Sequence, residues 1–411
     1  MEQEQTYEKV IIVGIEKQNE EDAFRYSFDE LEQLVENAGG KVVAKLSQKR
    51  ERIDHKTVIG KGKVNELKHL ADELEAQTIV FNQELSPSHV RNIQEEVDAK
   101  VIDRIQVILD IFALRAQSKE GRLQVELAQL SYILPRLAGQ GENMSRLGAG
   151  IGTRGPGETK LETDRRHIQR QMTEIRKELK KIAAHRERSR EQRKNSNVFQ
   201  IGLIGYTNAG KSTLLNQLTQ AETYEKDQLF ATLDPLTRKS ELPSGMQITL
   251  TDTVGFIQEL PTQLIEAFKS TLEESKHVDM LLHVVDASAE NIKAHEETVM
   301  ELLDELGMNL IPMLTVYNKK DLLESPARTS LFPNCTISAR DPEDIEMLRH
   351  AIEKEIKKQM VHYQLSIPSE RGDWLVELRQ NTLLERQLFD EDNQVYAVEG
   401  YAKKGSRWVQ D

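Results

Sequence analysis

With 411 residues, the chain has room for roughly two to four domains with real cores. Its single cysteine, Cys335, rules out an internal disulfide and fits a reducing compartment. A formal net charge of −13 argues against a uniformly basic nucleic-acid coat, though not against local basic patches. The N-terminus, Met1-Glu2-Gln3-Glu4-Gln5, is too acidic and polar for a signal peptide. No apolar run approaches the roughly 18 residues of a membrane span.

Residues 1–105 alternate strand and helix patterns, which predicts an N-terminal α/β domain. Lys9-Val10-Ile11-Ile12-Val13-Gly14 is a β-branched run that suits a strand. Ser27-Phe28-Asp29-Glu30 has capping-box spacing and leads into Leu31, Leu34 and Val35. That predicts a helix beginning near Ser27 and stopping at Gly39-Gly40. Strands are expected at 42–46, 78–81 and 101–102. Helical stripes lie between them at Val64, Leu67, Leu70 and Leu74, then at Val90, Ile93 and Val97. This βαβα order predicts a small parallel sheet covered by helices. Ile59-Gly60-Lys61-Gly62-Lys63 precedes a helix and could cradle an anion, although a flexible glycine loop is the plainer reading. Lys45 to Lys63 holds seven Lys/Arg against two Asp/Glu, a net +5 expected on one loop face.

Residues 106–195 are expected to form a long antiparallel helical hairpin. Leu123, Leu127, Leu130, Leu134 and Leu137 step by 4, 3, 4, 3, and Ile168, Met172, Ile175, Leu179 and Ile182 step likewise. Two such seams can bury each other. Pro135 is expected to limit the first helix. The tip loop, 138–158, carries seven glycines between Gly139 and Gly157. Ile151, Thr153, Arg154 and Pro156 make it a specific sequence and not a spacer. A loop this long without structure of its own is disordered or functional. Gly150, Gly152, Gly155 and Gly157 expose backbone N–H groups, and Arg146 and Arg154 can fork onto phosphates. A tip that probes an RNA surface would look like this. Lys160 to Asn195 carries thirteen Lys/Arg and six Asp/Glu, a net +7. Arg165, Arg166, Arg170, Arg176, Lys177, Lys180 and Lys181 lie off the seam. A solvated face and a polyanion partner are comparable readings of that imbalance. Arg186 to Asn197 is polar and reads as a linker.

The span 196–360 centres on Gly205-Tyr206-Thr207-Asn208-Ala209-Gly210-Lys211-Ser212, which reads G-x-x-x-x-G-K-S. An apolar run, 198–204, precedes it, and Thr213-Leu214-Leu215 after it suits the first turn of a helix. Successive N–H groups in such a turn, with the positive end of the helix, suit a di- or triphosphate. Lys211 would reach the β- and γ-phosphates, and Ser212 would put its hydroxyl on Mg²⁺. Asn318-Lys319-Lys320-Asp321 fits N-K-x-D. A carboxylate at Asp321 can accept from both N1–H and N2–H₂ of guanine, a pair that adenine lacks, so GTP is expected over ATP. Ser338-Ala339-Arg340, after Ile337, fits a backbone-supplied guanine loop. Asp252-Thr253-Val254-Gly255 fits D-x-x-G, with Asp252 on Mg²⁺ through water and the Gly255 N–H facing the γ-phosphate. Phe230-Ala231-Thr232-Leu233-Asp234 lies where a first switch belongs, and Thr232 would complete the Mg²⁺ shell. Lys211, Thr232 and Gly255 are thus the candidate catalytic residues of a GTP-to-GDP hydrolase. Ras-type switches carry a glutamine after the D-x-x-G glycine. Phe256 cannot orient water in that way, so slow free turnover and completion by a partner are expected. Potassium-dependent GTPases carry an asparagine at the position of Asn208, which makes K⁺ a candidate monovalent cation.

These motifs, together with others, resemble the HflX-type GTPases of the Obg–HflX group. The resemblance rests on Thr57-Val58-Ile59-Gly60-Lys61-Gly62-Lys63, Asp103-Arg104-Ile105-Gln106-Val107-Ile108-Leu109-Asp110-Ile111-Phe112 and Leu123-Gln124-Val125-Glu126-Leu127-Ala128-Gln129-Leu130. It continues through Gly150-Ile151-Gly152-Thr153-Arg154-Gly155-Pro156-Gly157-Glu158 and Phe230-Ala231-Thr232-Leu233-Asp234-Pro235, and covers about residues 9–360. Leu236 stands where many relatives have threonine. The resemblance implies a factor that binds the 50S large ribosomal subunit and its 23S rRNA and splits stalled or idle ribosomes under stress. It implies a hairpin tip that reaches toward the peptidyl transferase centre. A cytoplasmic monomer, partly membrane-associated, is the matching expectation.

Residues 361–411 are predicted to form a small α+β domain. A strand is expected at 363–367, a helix around 374–378, and a hairpin from 383–389 and 394–401 around Asp390-Glu391-Asp392-Asn393. Nine acidic and six basic residues from Tyr363 on make it no RNA patch by charge. The whole is expected to be α/β: a P-loop G domain with a mixed, mostly parallel sheet, the N-terminal α/β domain with its hairpin, and the C-terminal piece. A regulatory switch binding protein effectors is the competing function, and the glycine loop and basic helix count against it. Asp321 disfavours an ATP-driven RNA remodeller.

Overall fold

A computed structural model describes residues 7–137, 156–194, 198–219, 236–252, 255 and 276–409, the side chains of 156–161 and 186–194 excepted. The described residues fall into two compact units, the first ending at Ile182 and the second beginning at Ala183.

In the first unit, β1 (Glu8–Glu16), β2 (Gly40–Lys49), β3 (Thr78–Phe81) and β4 (Lys100–Asp103) form a parallel sheet in the order β2-β1-β3-β4. The central strands are buried along their length, as strands covered on both faces must be. The covering helices include α1 (Glu21–Asn37), α2 (Lys61–Leu74) and α3 (Pro87–Gln94). Helix α1 starts a turn and a half before the capping-box signal, because Phe24 stacks on Phe28 and extends the apolar stripe upstream. Ser27 therefore lies inside the helix, where its hydroxyl accepts from Asn82 at 2.9 Å. The stop at Gly39 holds, with φ at +93°.

The basic stretch from Lys45 to Lys63 is not one loop face. Strand β2 runs to Lys49, and α2 opens at Lys61 with Gly60 as an extended N-cap. Lys45 pairs with Asp29 and Glu32, and Lys49 with Glu16 and Glu21, so four carboxylates offset the excess. The Gly60 N–H donates to Gln48 Oε1 at 2.8 Å.

Asp103 ends β4 and ties that strand to two helices and to the loop before α3. It caps α4 (Arg104–Arg115) through the Gln106 N–H at 3.1 Å and accepts from the Leu85 N–H at 2.9 Å. It also accepts from the Tyr132 hydroxyl at 2.7 Å and from Arg136 at 3.1 Å, both on α5 (Lys119–Leu137). Beside it, Arg104 is buried against Glu30. Pro135 lies inside the last turns of α5 and does not end it. The deepest stripe of α5 is Gln124, Val125, Ala128 and Tyr132, because the helix also packs on α4. The leucine seam beside it is half-buried.

Helix α6 (Pro156–Lys194) buries Met172 and Ile175, and Lys119 lies 3.3 Å from Glu178, which suits an antiparallel course. The helix takes in Pro156 to Glu158, so the tip loop is shorter than 138–158 by those residues. Gly157 sits in its first turn, while Arg146, Gly150, Gly152, Arg154 and Gly155 lie outside the described residues. Arg165, Arg166, Arg170, Arg176, Lys177, Lys180 and Lys181 are all exposed.

The second unit holds a six-stranded sheet of β5 (Phe199–Gly205), β6 (Leu236–Glu241), β7 (Gln247–Asp252), β8 (Met280–Asp286), β9 (Met313–Asn318) and β10 (Asn334–Thr336). Its order is β10-β9-β8-β5-β7-β6, parallel except for β6. Helices α7 (Lys211–Thr219), α8 (Ile292–Glu305) and α9 (Pro342–Lys357) cover it. The chain lays β7 on one side of β5 and β8 on the other. That puts a topological switch point at the carboxyl end of β5, where open α/β sheets bind ligands.

The final segment matches its predicted pattern. β11 (Val361–Pro368), α10 (Gly372–Asn381), β12 (Leu383–Asp390) and β13 (Val395–Ala402) make an antiparallel sheet in the order β11-β13-β12, with a core under α10. Leu383 and Tyr401 join the core of the larger sheet, and Lys403 pairs with Asp279 at 2.5 Å.

Candidate nucleotide site

The turn after β5 is built for a close backbone approach. Gly205 has φ +150°, and a Cβ there would lie 2.1 Å from the Val284 carbonyl oxygen. Gly210 has φ +92°, and a Cβ there would meet Asn318 Nδ2 at 2.3 Å. Only glycine serves at either position. Asn208 lies between them at φ +61°, a conformation asparagine tolerates. Helix α7 then begins at Lys211, which puts its N-terminal turn at the same spot.

Lys211 is buried, and its ammonium donates to the carbonyls of Gly205 at 3.1 Å and Tyr206 at 2.8 Å. Burial lowers its pKa to about 8, with Asp252 pulling the other way. The next residue, Ser212, donates its hydroxyl to Asp252 Oδ2 at 2.8 Å. Asp252 is fully buried at the end of β7. These are two hard oxygen donors beside a glycine turn of the kind that suits phosphate. Mg²⁺, which takes one or two protein oxygens and fills its shell with phosphate and water, fits them. Gly255 returns to the turn: a Cβ there would lie 3.1 Å from Lys211 Nζ. Thr253 and Val254 lie outside the described residues, as do Phe230, Ala231, Thr232, Leu233, Asp234 and Phe256.

The second pole of the site is at the carboxyl end of β9. Asn318 donates to the Ala209 carbonyl at 3.0 Å and accepts from the Ala339 N–H at 2.9 Å, so one side chain joins three motifs. Lys319 takes a left-handed backbone, φ +65°. Asp321 accepts from the Ser338 hydroxyl at 2.6 Å, and that bond keeps its carboxyl ionised below the usual range. Asp344 accepts from the Ser338 N–H at 2.7 Å and from Lys320 at 2.9 Å, which fixes the Ser338-Ala339-Arg340 turn. The turn and the N-K-x-D residues are therefore neighbours. Sequence reasoning missed Asp344, Asp286, His283 and His295. No motif marks them: β8 carries His283 and Asp286, α8 carries His295 and α9 carries Asp344, and only the packing of these elements brings them near. The cleft of about 410 Å³ at the far end of α7 is a different place. Its Arg349 donates to the carbonyls of Leu218 and Glu241.

Two buried histidines lie behind the turn. Burial lowers the pKa of His283 to about 4, helped by Lys211, and that of His295 also to about 4, opposed by Asp286. Both pKa values sit below the unfolded value, so the unfolded chain binds more protons as pH falls through 6.5 toward 4. Stability is full above about pH 7 and is lost over that window, by about 3 kcal/mol in total at pH 5.5. Thermal melting at pH 7.5 and 5.5 checks this: a marked drop is expected, and equal Tm values would refute it.

Comparison with known proteins follows the same division. A family model described as a GTP-binding GTPase N-terminal region matches residues 25–113, a GTP-binding GTPase middle region matches 115–193, and a 50S ribosome-binding GTPase matches 200–319. The chain is 52% identical to the GTPase HflX of Alkalihalophilus pseudofirmus, over 96% of this chain and 94% of that one. It is 45% identical to GTPase HflX of Caldanaerobacter subterraneus, covering 93% and 89%, and 38% identical to GTPase HflX of Escherichia coli, covering 89% and 87%. A solved GTP-binding protein from Sulfolobus solfataricus in complex with GDP is 27% identical, with a TM-score of 0.46 over 85% of this chain and 99% of that chain. From its three successive family matches and its near-full-length relatives, the chain belongs to the HflX GTPase family and is a GTP hydrolase.

Proposed function

We propose that this GTPase binds the 50S large ribosomal subunit, contacts its 23S rRNA, and splits stalled or idle ribosomes in a cycle driven by GTP. The observation that carries the reading is the exposed basic face of α6, from Arg165 to Lys181, next to a glycine-rich span with Arg146 and Arg154. The 50S ribosome-binding description of the matching G-domain model supports it. Gly205 to Thr213 would cradle the phosphates, with Lys211 on the β- and γ-oxygens. Mg²⁺, held by Ser212 and through water by Asp252, would neutralise charge on the transferring phosphoryl group, and Thr232 would close its shell. Asn318, Asp321, Ser338 and Ala339 would read guanine. Phe256 offers water no hydrogen bond, so the large subunit would supply or position what turnover needs, an effect on the order of 10³–10⁵ in rate. Asn208 would help hold K⁺, and equal rates in K⁺ and Na⁺ would remove that ion from the scheme.

Sucrose-gradient cosedimentation of the protein with 50S subunits, with GTP turnover measured in the same mixtures, tests the reading. Cosedimentation in a non-hydrolysable GTP analogue and a large stimulation of turnover are expected. Binding should weaken steeply between about 50 and 200 mM salt, as phosphate contacts do. Migration apart from 50S at low salt would sink it. Removing Met144 to Glu158 should leave unstimulated GTP hydrolysis in place and abolish splitting.

A further inference from the structure

We propose that Asp286 and His295 are positioning residues for GTP: with Lys319 and Tyr206 they form a clamp that holds the guanine-reading turn and the phosphate turn in one relative position. The proposal rests on the nucleotide-site reading above.

One end of the clamp is an ion pair. Lys319 Nζ lies 2.7 Å from Asp286 Oδ2, and both side chains are about four-fifths buried. Asp286 is the last residue of β8 and faces Asn318 across the parallel ladder. The Ala287 N–H donates to the Asn318 carbonyl at 2.9 Å. The other carboxylate oxygen of Asp286 accepts from the Ser288 N–H at 2.9 Å and its hydroxyl at 2.6 Å, so the carboxylate is oriented before Lys319 reaches it. Lys319 needs such a hold, because its backbone is left-handed and its neighbours Asn318 and Asp321 do the reading.

The other end is an aromatic stack. The His295 ring lies on the Tyr206 ring at a centroid distance of 4.0 Å and an angle of 10°. Tyr206 is in the phosphate turn, and its carbonyl receives the Lys211 ammonium. The residue after His295, Glu296, accepts from the Tyr317 hydroxyl at 2.6 Å, just ahead of Asn318 on β9. A single segment, from Asp286 to Glu296, therefore grips both poles of the site. A clamp of this kind raises affinity for a ligand that must touch both poles, and it touches no reacting atom. Its loss should remove binding felt equally by ground state and transition state, which raises KM and spares kcat.

The test is steady-state GTP hydrolysis by the full chain carrying D286N, H295A or H295F. Asp286→Asn keeps shape and removes charge. His295→Phe keeps a flat ring and removes both ring nitrogens. KM for GTP should rise about tenfold in D286N and in H295A, the ordinary worth of a charge-assisted bond or a stack. Values of kcat should stay within about twofold of the parent, and H295F should recover the parental KM. The double variant D286N/H295A should raise KM by less than the product of the singles, since one device is lost once. Unchanged KM in both single variants, a fall in kcat at constant KM, or H295F as impaired as H295A would overturn the clamp. Failure of the underlying site would look different: the parent protein itself would not bind guanine nucleotide.

Discussion

Replacing Lys211 by alanine is expected to lower kcat/KM for GTP by about 10²–10⁴, the effect of removing one partner from a buried charge pair. The ammonium is fully enclosed and donates to two carbonyls of its own turn, at 2.8 and 3.1 Å. Burial has lowered its pKa to about 8, so at neutral pH the turn holds a cation at a cost. Below pH 8 that cost is present in full, and it fades as pH rises from 8 toward the ordinary lysine value. A triphosphate would relieve it by replacing neutral carbonyls with anionic oxygens. The alanine variant should therefore lose GTP and melt no lower than the parent when no nucleotide is added. Isothermal titration with GDP and a thermal melt separate the two effects. Tight GDP binding by the variant, or a collapsed melt, would contradict this account. Lys211→Arg should not restore the site, since a planar guanidinium does not fit where a compact ammonium is enclosed.

Why the site was so legible, and the N-terminal unit less so, follows from what each must satisfy. The phosphate turn has almost no freedom: Gly205 and Gly210 each face an atom that forbids a Cβ, and Asn318 needs both of its amide atoms. Local backbone geometry dictates residue type there, so the motif reads directly. The strands read well for the same reason, since burial on both faces demands β-branched runs. The failures came where a tertiary partner overrode a local signal. Ser27 looks like a helix cap, but Phe24 and Phe28 pull the helix past it. Lys45 and Lys49 look like a free basic face, but carboxylates from α1 and β1 meet them. The leucine seam of α5 reads as its core, yet Tyr132 on the adjacent stripe goes deeper because Asp103 waits for its hydroxyl. Asp286 and His295 had no signal at all, for their partners are distant in the chain.

Asp103 should be the most sensitive position of the N-terminal unit. Its carboxylate is wholly buried and receives four hydrogen bonds, from Leu85, Gln106, Tyr132 and Arg136. Arg136 also lies 3.4 Å above the Tyr132 ring, so the two donors from α5 act together. Burial, with Asp103 beside it, holds the Tyr132 phenol far above its ordinary pKa, so it stays a donor throughout the accessible range. Asp103→Ala strands two backbone N–H groups, of Leu85 and Gln106, and a hydroxyl, and leaves Arg136 without its carboxylate. The cost is expected to be about 3–5 kcal/mol. Asp103→Asn should cost less, because it keeps shape and one acceptor. Both tryptophans, Trp374 and Trp408, lie in the C-terminal segment, so their fluorescence will not report the change. Amide hydrogen exchange in α4 and α5 will: protection should fall by at least about 100-fold, while β5 and α7 keep theirs. Equal protection in parent and alanine variant would mean that Asp103 is not what joins β4 to α4 and α5.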